Sequence, residues 1–266
     1  MQTCIASRAK ILPLDTAVLS QLGVKVLRGI SRSDFIFQQL IALVSKVAGT
    51  WYRLSHANIV QFLGLSYDVP HHIGLVVPYY ENANVIEYLA AHSNGERELV
   101  HLTLGAAAGL AYLHEHGVVH TDLRGCNVLV DGDGNARLTD IGLSPVFSGN
   151  NFTTANPALA SRWQAPEVLQ FEGPEDVSAY TLASDVYAFG MLLVEMITLK
   201  PPFSHRKQDT VVIFDVIKGQ RPHKPPELDQ VRDAFWQLAE ECWKEEPAAR
   251  PSSSAVFDWL QRIVPS

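Results

Sequence analysis

The sequence predicts an α+β protein, because both of its strand patterns lie in the first third of the chain and its two longest helical patterns follow them. Apolar runs of strand length occupy residues 24–27 and 74–77. Apolar residues recur at helical spacing in residues 33–46, 99–116 and 183–199. A chain of 266 residues can bury a substantial core, and its 47% of hydrophobic residues is ordinary for a globular domain.

The first two elements are a short strand and a helix. The strand at 24–27 carries a single charged residue, Lys25. In residues 33–46 apolar side chains recur every three or four positions, and a serine and an aspartate at the start can cap the helix. Gly49 is a typical signal for the end of a helix, so we expect this helix to stop before it.

The next two elements are a second strand and a long helix. The strand at 74–77 runs into Pro78, which has no backbone N–H and fits a proline-interrupted edge strand. The helix at 99–116 is rich in alanine and leucine. Gly117 follows it in the position where glycine commonly ends a helix.

The most apolar helix spans residues 183–199. It contains Asp185 and Glu195, which identify it as a core helix rather than a membrane span. Pro201 and Pro202 stop it.

Composition and charge exclude several classes of protein. Residues 1–80 carry a net charge of +4 and residues 81–266 one of −11, for a total of −7, so no concentrated basic face for nucleic acid is expected. The three cysteines, Cys4, Cys126 and Cys242, are widely spaced and indicate reduced thiols. With no signal-peptide pattern and no membrane segment, we expect a cytoplasmic or nuclear protein.

Residues 120–127, with the sequence HTDLRGCN, suggest a chemistry. Asn127 lies five residues after Asp122, and Asp140 follows 18 residues after Asp122, beyond an apolar run. Phosphoryl transfer from a nucleotide needs one carboxylate to orient and deprotonate the accepting hydroxyl. It also needs an Asn and a second carboxylate to hold the magnesium that neutralises the phosphates.

This layout resembles the protein kinases, whose catalytic loop reads H-R-D-L-x-x-x-x-N and whose metal-binding segment reads D-F-G. The chain departs from the family pattern at Thr121, which replaces Arg, and at Ile141, which replaces Phe.

Further kinase motifs follow in order. Residues 165–167 resemble the A-P-E that closes the activation segment, residues 184–190 resemble the start of the central helix, and Arg250 resembles the late arginine that pairs with the A-P-E glutamate. The resemblance implies a two-lobed protein-kinase-like fold. Residues 1–80 would form a small, mostly-β lobe with one helix, and residues 81–266 a larger, mostly helical lobe.

The resemblance also implies catalytic and metal-binding roles. Asp122 corresponds to the catalytic base, and Arg124 stands in for the lysine that contacts the γ-phosphate. Asn127 and Asp140 correspond to the magnesium ligands, which makes ATP and Mg²⁺ the implied cofactors.

Four more residues correspond to the nucleotide site. Lys25 resembles the strand lysine that holds the α- and β-phosphates. Val77 would border the deep end of the adenine pocket. The carbonyl of Pro78 and the N–H of Tyr80 would contact adenine, because a proline keeps its acceptor although it lacks a donor.

Two parts of the small lobe depart from the kinase pattern. The only glycine before Lys25 is Gly23, so no Gly-rich phosphate loop is recognisable and the lobe is incomplete. No acidic residue occurs between Asp34 and Asp68, and Val47 falls where the helix glutamate that pairs with the lysine is expected. We therefore expect Lys25 to be held only by phosphate and by packing, since Asp34 at the helix start could reach it only in a rearranged small lobe.

Within the kinases, residues 122–127 and 161–167 resemble the tyrosine-kinase-like group of serine/threonine kinases. We expect an ATP-dependent serine/threonine protein kinase with impaired activity, acting in signal transduction. One alternative is a pseudokinase that serves as a protein-binding scaffold. Another is a small-molecule phosphotransferase, against which the A-P-E motif, Asp185 and Arg250 argue.

The activation segment carries one further expectation. Many kinases order it by pairing a phosphate with the Arg before the catalytic Asp. Here that position is Thr121, so activation should not depend on phosphorylation of residues 144–161, unless another cation such as Arg162 substitutes. Ala160 falls where the substrate-side threonine is expected, with Ser161 as its possible substitute.

Overall fold

The computed structural model describes residues 22–27, 34–67, 72–93, 95–147, 160–170 and 179–263, with the backbone alone for residues 34–36. Within these residues the protein has a small lobe built on a β-sheet and a larger, mostly helical lobe. The predicted α+β class is confirmed.

The small lobe begins with the strand that carries Lys25. Its elements, in the described residues, are β1 (Leu22–Leu27), α1 (Asp34–Trp51), β2 (Gly64–Ser66) and β3 (Ile73–Pro78). Strand β3 lies between β1 and β2 and pairs antiparallel with both. Lys25 lies opposite Leu75, and Gly23 lies opposite Val77. Because alternate residues of a strand share a face, Lys25 and Val77 lie on the same face of the sheet.

Helix α1 is longer than the sequence predicts. The expectation that it stops before Gly49 is wrong, since it continues to Trp51. A glycine inside a helix costs about 1 kcal/mol relative to alanine. Trp51 offsets that cost, because it is almost fully buried, stacks on Phe62 at 5.1 Å between ring centroids, and donates from Nε1 to the carbonyl of Val60 at 2.9 Å.

The large lobe contains a two-stranded hairpin among helices. Its regular elements, in the described residues, are α2 (Val85–Ala91), α3 (Glu96–Glu115), β4 (Val128–Val130), β5 (Ala136–Leu138), α4 (Ser144–Phe147), α5 (Pro166–Leu169), α6 (Leu182–Thr198), α7 (Asp209–Ile217), α8 (Gln230–Cys242) and α9 (Ser253–Ile263). Single 3₁₀ turns lie at Gly125–Asn127 and Pro247–Ala249.

Helix α6 is the centre of the large lobe. Every residue from 184 to 197 is buried, as the sequence predicts for a core helix. Thr181 and Ser184 form a capping box at its start, and Leu199 ends it in the left-handed conformation at φ 52°. Among the described helices, none combines the length and the apolarity that a membrane crossing needs.

Helix α3 and the hairpin frame the loop that carries HTDLRGCN. Helix α3 ends as predicted, with Gly117 in the left-handed conformation at φ +67°. The chain then passes through the loop and enters β4, which pairs antiparallel with β5 in a register that sets Val128 opposite Leu138. The hairpin returns the chain to the loop, where Asp140 follows β5.

Candidate active site

Asp185, a buried residue in the first turn of α6, supports the loop between α3 and β4. Its carboxylate accepts the backbone N–H groups of His120 at 2.6 Å and Thr121 at 2.9 Å, and it contacts Nε2 of His114 at 3.0 Å. Thr121 has φ +73°, which β-branched residues rarely adopt. The hydrogen bonds to Asp185 hold this strained backbone in place.

Asp122 is oriented by two neighbours. Nδ2 of Asn127 donates to Oδ2 of Asp122 and to its backbone carbonyl, both at 2.8 Å. Nε of Arg124 lies 3.2 Å from Oδ1 of Asp122. Burial raises the pKa of Asp122, and the Arg124 charge offsets part of that rise. A carboxylate held in this way is suited to accept the proton of an incoming hydroxyl.

Asp140 is buried at the end of β5 and has a protein partner. The ammonium group of Lys25 contacts its Oδ2 atom, so the expectation that Lys25 is held only by phosphate and packing is wrong. Desolvation lowers the pKa of Lys25, but the Asp140 carboxylate outweighs it and raises that pKa overall. The N–H of Gly142 donates to the carbonyl of His120 at 2.9 Å and ties this segment to the catalytic loop.

Val47 explains why Lys25 turns to Asp140. A methyl carbon of Val47 lies 3.4 Å from where a Cβ would stand on Gly142, so α1 meets the Asp-Ile-Gly segment with an apolar side chain. No carboxylate follows Asp34 in this helix, and the side chain of Asp34 itself lies outside the described residues.

Asn127 and Asp140 supply the oxygen donors that Mg²⁺ prefers. The amide nitrogen of Asn127 is committed to Asp122, and its Oδ1 accepts only the weak donor Sγ of Cys126 at 3.5 Å, so this oxygen keeps a lone pair for a cation. The donor chemistry therefore fits magnesium. Lys25 engages Oδ2 of Asp140, so a metal at this carboxylate would compete with the Lys25 ammonium group for its charge.

The residues assigned to the adenine site lie at the end of β3. Val77 shares the sheet face of Lys25, and Val77, Pro78 and Tyr80 are each half-buried, so a ligand can reach them. Burial raises the pKa of Tyr80, which keeps its phenol neutral. Their backbone contacts with adenine stay a prediction.

Leu129 was missed by the sequence analysis. It is half-buried between the fully buried Val128 and Val130, so its side chain lies on the opposite face of the hairpin. It is paired with Arg137, whose charge acts on Tyr80. Leu129 therefore offers an apolar surface near the assigned hinge, and the alternation within this short strand could have indicated it.

Arg124 lies between the catalytic loop and the end of the activation segment. Its guanidinium carbon is 5.8 Å from the centroid of the Trp163 ring. The neighbouring Gly125 N–H and the Trp163 indole N–H both donate to Oε2 of Glu195, at 2.8 and 2.9 Å. Burial raises the pKa of Glu195 to about 7, although these donors and Arg124 act in the opposite sense.

The structure contains the ion pair that the A-P-E resemblance implies. Arg250 donates to Glu167 through two nitrogens, at 2.6 and 2.9 Å. The Arg250 side chain is fully buried, and its guanidinium lies 5.2 Å from the centroid of Tyr187.

Arg162 is not available to bind an activating phosphate. Its guanidinium donates to Asp209 at 2.6 Å and to the carbonyls of Pro202, Phe203 and Arg206, each at 2.9 Å. All three of its nitrogens are therefore engaged by residues that precede or begin α7.

Ala160 and Ser161, at the position expected for the substrate-side threonine, lie in different surroundings. Ala160 lines a small cavity next to Asp122, together with Trp163. Ser161 is 1% exposed and does not line that cavity. Most of the remaining segment, residues 148–159, lies outside the described residues.

Asp185 and Glu195 are two further side chains whose contacts the sequence analysis did not predict. Both were noted as acidic residues within an apolar helix, and Asp185 also as part of the kinase-like start of the central helix. That placement was the available signal, because a buried carboxylate needs hydrogen-bond donors, and here the donors belong to the catalytic loop and to Trp163.

A family model described as protein tyrosine and serine/threonine kinase matches residues 24–260. The serine/threonine-protein kinase CTR1 of Arabidopsis thaliana is 31% identical over 255 residues, which cover 93% of this chain and 29% of that protein. STY17, a serine/threonine-protein kinase of the same plant, is 27% identical over 80% of this chain and 36% of its own length.

The cytoplasmic tyrosine-protein kinase BMX of Mus musculus is 29% identical over 91% of this chain and 35% of its own length. The chain thus spans about a third of the length of these three relatives.

Proposed function

The chain belongs to the protein kinase family, and we propose that it transfers the γ-phosphate of ATP to serine or threonine residues of protein substrates, with impaired activity. One observation carries the proposal. The fold brings Asp122, Asn127 and Asp140 together around a loop that Asp185 holds in place.

Each residue has a role in this proposal. Asp122 accepts the proton of the substrate hydroxyl, and Arg124 meets the charge on the transferred phosphate. Asn127 and Asp140 hold magnesium, which when bound neutralises charge on the nucleotide phosphates. Adenine contacts the carbonyl of Pro78 and the N–H of Tyr80, beside Val77.

The small lobe supports the proposal of impaired activity. Lys25 is paired with Asp140, so the cation assigned to the phosphates and the anion assigned to the metal neutralise each other. Val47 offers no carboxylate that could draw Lys25 away. Phosphate and magnesium must compete with this pair for Lys25 and Asp140, which weakens preorganisation. We also propose that the two lobes meet near residue 80.

A preference for serine and threonine rests on Arg124 and on two of the three relatives, since BMX is named as a tyrosine kinase. A cation two residues after the base resembles the serine/threonine kinase loop, and CTR1 and STY17 are named as kinases of that type. Peptide arrays with the purified chain would test it, and a majority of phosphotyrosine products would contradict it.

The decisive experiment measures binding and transfer separately. The purified chain is titrated with ATP in the presence and absence of Mg²⁺, and phosphate transfer to a mixed protein substrate is followed with γ-labelled ATP. Magnesium-dependent transfer that Asp122→Asn removes would support the proposal. Magnesium-dependent binding without transfer would favour the pseudokinase.

The second candidate is a pseudokinase, because the Lys25–Asp140 ion pair competes with the phosphate and the magnesium that catalysis requires at these two residues. A small-molecule phosphotransferase is less well supported. The ion pair of Glu167 and Arg250 fixes the end of an activation segment, a part associated with protein substrates.

A further inference from the structure

Glu195 joins two segments of the active site through a single oxygen. It is 9% exposed, near the C-terminal end of α6, and its Oε2 accepts the backbone N–H of Gly125 at 2.8 Å and the indole N–H of Trp163 at 2.9 Å. A buried carboxylate is unfavourable unless hydrogen bonds compensate for lost water, so both contacts are needed to keep it there.

The two donors flank Arg124. Gly125 is the next residue along the chain, and the Trp163 ring lies beside the Arg124 guanidinium at 5.8 Å. On its other side Arg124 faces Asp122, with Nε 3.2 Å from Oδ1. Arg124 is thus placed between the assigned base and an aromatic ring, and Glu195 fixes both the ring and the adjoining backbone.

We propose that Glu195 is a positioning residue for phosphoryl transfer, which holds Gly125 and Trp163 so that the Arg124 guanidinium stays beside Asp122. The catalytic part of this inference rests on the proposed function. The anchoring of the loop does not, and it can be measured without catalysis.

Gly125 shows how closely the loop approaches Glu195. A Cβ on Gly125 would stand 2.9 Å from the Glu195 carboxyl and 2.3 Å from a side-chain carbon of Ile86. An alanine at this position would force a shift of the loop or of the Ile86 and Glu195 side chains. Gly125→Ala should therefore reproduce the loss of the Glu195 contact while leaving the carboxylate itself unchanged.

The chain offers a matched control for a purely structural role. Glu240 on α8 also accepts an indole N–H, from Trp236 at 3.0 Å, but it is exposed and lies on a different helix from Glu195. Glu240→Ala and Trp236→Phe remove the same kind of contact without touching the catalytic loop.

The kinetic test compares Glu195→Ala and Glu195→Gln with Glu240→Ala. Because small displacements of catalytic groups can cost about 10²-fold in rate, we expect kcat of Glu195→Ala to fall by about 10- to 100-fold, with KM for ATP within about twofold. The amide oxygen of glutamine can accept both donors, so Glu195→Gln should recover most of the rate. Equal losses in kcat for the Glu195 and Glu240 variants would overturn the proposal.

The second test is amide hydrogen exchange at Gly125. Loss of the acceptor should speed exchange by at least about tenfold in Glu195→Ala, and Trp163→Phe should leave the Gly125 amide protected while lowering kcat. If Glu195→Ala does not fold, Gly125→Ala provides the kinetic comparison. Unchanged exchange at Gly125 in Glu195→Ala would overturn the anchoring.

The two tests separate this inference from the proposed function. If the wild-type chain transfers no phosphate but Gly125 exchange rises in Glu195→Ala, the kinase proposal fails while the anchoring stands. If transfer occurs and neither kcat nor exchange responds to the Glu195 variants, the inference fails alone.

Discussion

The ammonium group of Lys25 on β1 contacts the carboxylate of Asp140, 115 residues later in the chain. This contact joins the two lobes across the assigned nucleotide site. Half of the Lys25 side chain stays exposed, at 52%, so the pair contributes little to stability. In the proposed mechanism, this pair competes with phosphate for Lys25 and with magnesium for Asp140.

Nucleotide binding should be weak and should depend on Asp140 more than on Lys25. Asp140→Ala removes a proposed metal ligand and should reduce the thermal shift produced by millimolar ATP and Mg²⁺. Lys25→Ala should change the shift little, because the lost phosphate contact is offset by the release of Asp140. A ligand at 100 times its Kd stabilises by about 2.7 kcal/mol, and we expect far less here.

Lys46→Ala, at an exposed position on α1, is the control for loss of a lysine in the small lobe. Low-micromolar ATP binding that Lys25→Ala abolishes would contradict this prediction. It would mean that Lys25 binds phosphate in a fully assembled small lobe.

Asp122→Asn should remove nearly all phosphate transfer and leave the fold intact. General-base and positioning roles are worth about 10²–10⁴ in rate, and asparagine keeps an oxygen that can accept from Asn127. Asp133→Asn, on the exposed turn of the hairpin, is the matched control and should keep the wild-type rate. An Asp122→Asn variant that retains most of its activity would reject the assignment.

Activation should not require phosphorylation of the activation segment. Thr121 carries no charge to receive a phosphate, and the guanidinium of Arg162 is already engaged by Asp209 and three carbonyls. Transfer rates measured before and after phosphatase treatment should therefore agree. A large rise in rate upon phosphorylation of Thr153, Thr154 or Ser161 would count against this.

Glu195 should make stability depend on pH in a way that Glu195→Gln removes. Its pKa is raised from 4.5 to about 7, so the folded state holds the proton more tightly than the unfolded state. The contribution of protonated Glu195 to the free energy of unfolding is therefore complete below about pH 4.5 and is lost as the pH rises towards 7. At about 1.36 kcal/mol per pKa unit, the loss is about 3 kcal/mol.

Urea unfolding at pH 5 and pH 8 would measure this effect. Asp122 and His120 also titrate, but they are present in both proteins, so the difference between wild type and Glu195→Gln isolates Glu195. The variant should gain stability relative to wild type as pH rises. A constant difference across this range would contradict the prediction.

Glu167→Gln should destabilise the protein by about 3 kcal/mol, because it leaves the fully buried Arg250 without a charged partner. Glu245→Gln breaks the pair with Arg221, in which Glu245 is 55% exposed. That control should cost less than about 1 kcal/mol. If chemical unfolding showed equal losses of unfolding free energy in the two variants, the Glu167–Arg250 pair would contribute no more to stability than a surface pair.

The sequence by itself determined the family, the class of fold and which polar residues meet in the loop before β4. Asp122 and Asn127 lie five residues apart in one loop, and the hairpin between them and Asp140 is short. Contacts at such separations follow from local geometry, and for that reason motif spacing could predict them. The long helices were also predictable, because an amphipathic or apolar period is a local property.

Only the tertiary structure decided which groups meet across long separations. Lys25 lacks a helix carboxylate, and the fold supplies Asp140 from the other lobe. Glu195 receives donors from Gly125 and Trp163, and α1 continues past a glycine because Trp51 is buried. In each case it is energetically costly to leave the group unpaired or exposed, so it contacts whichever partner the fold brings near it. Neither the periodicity nor the motif spacing of the sequence specifies that partner.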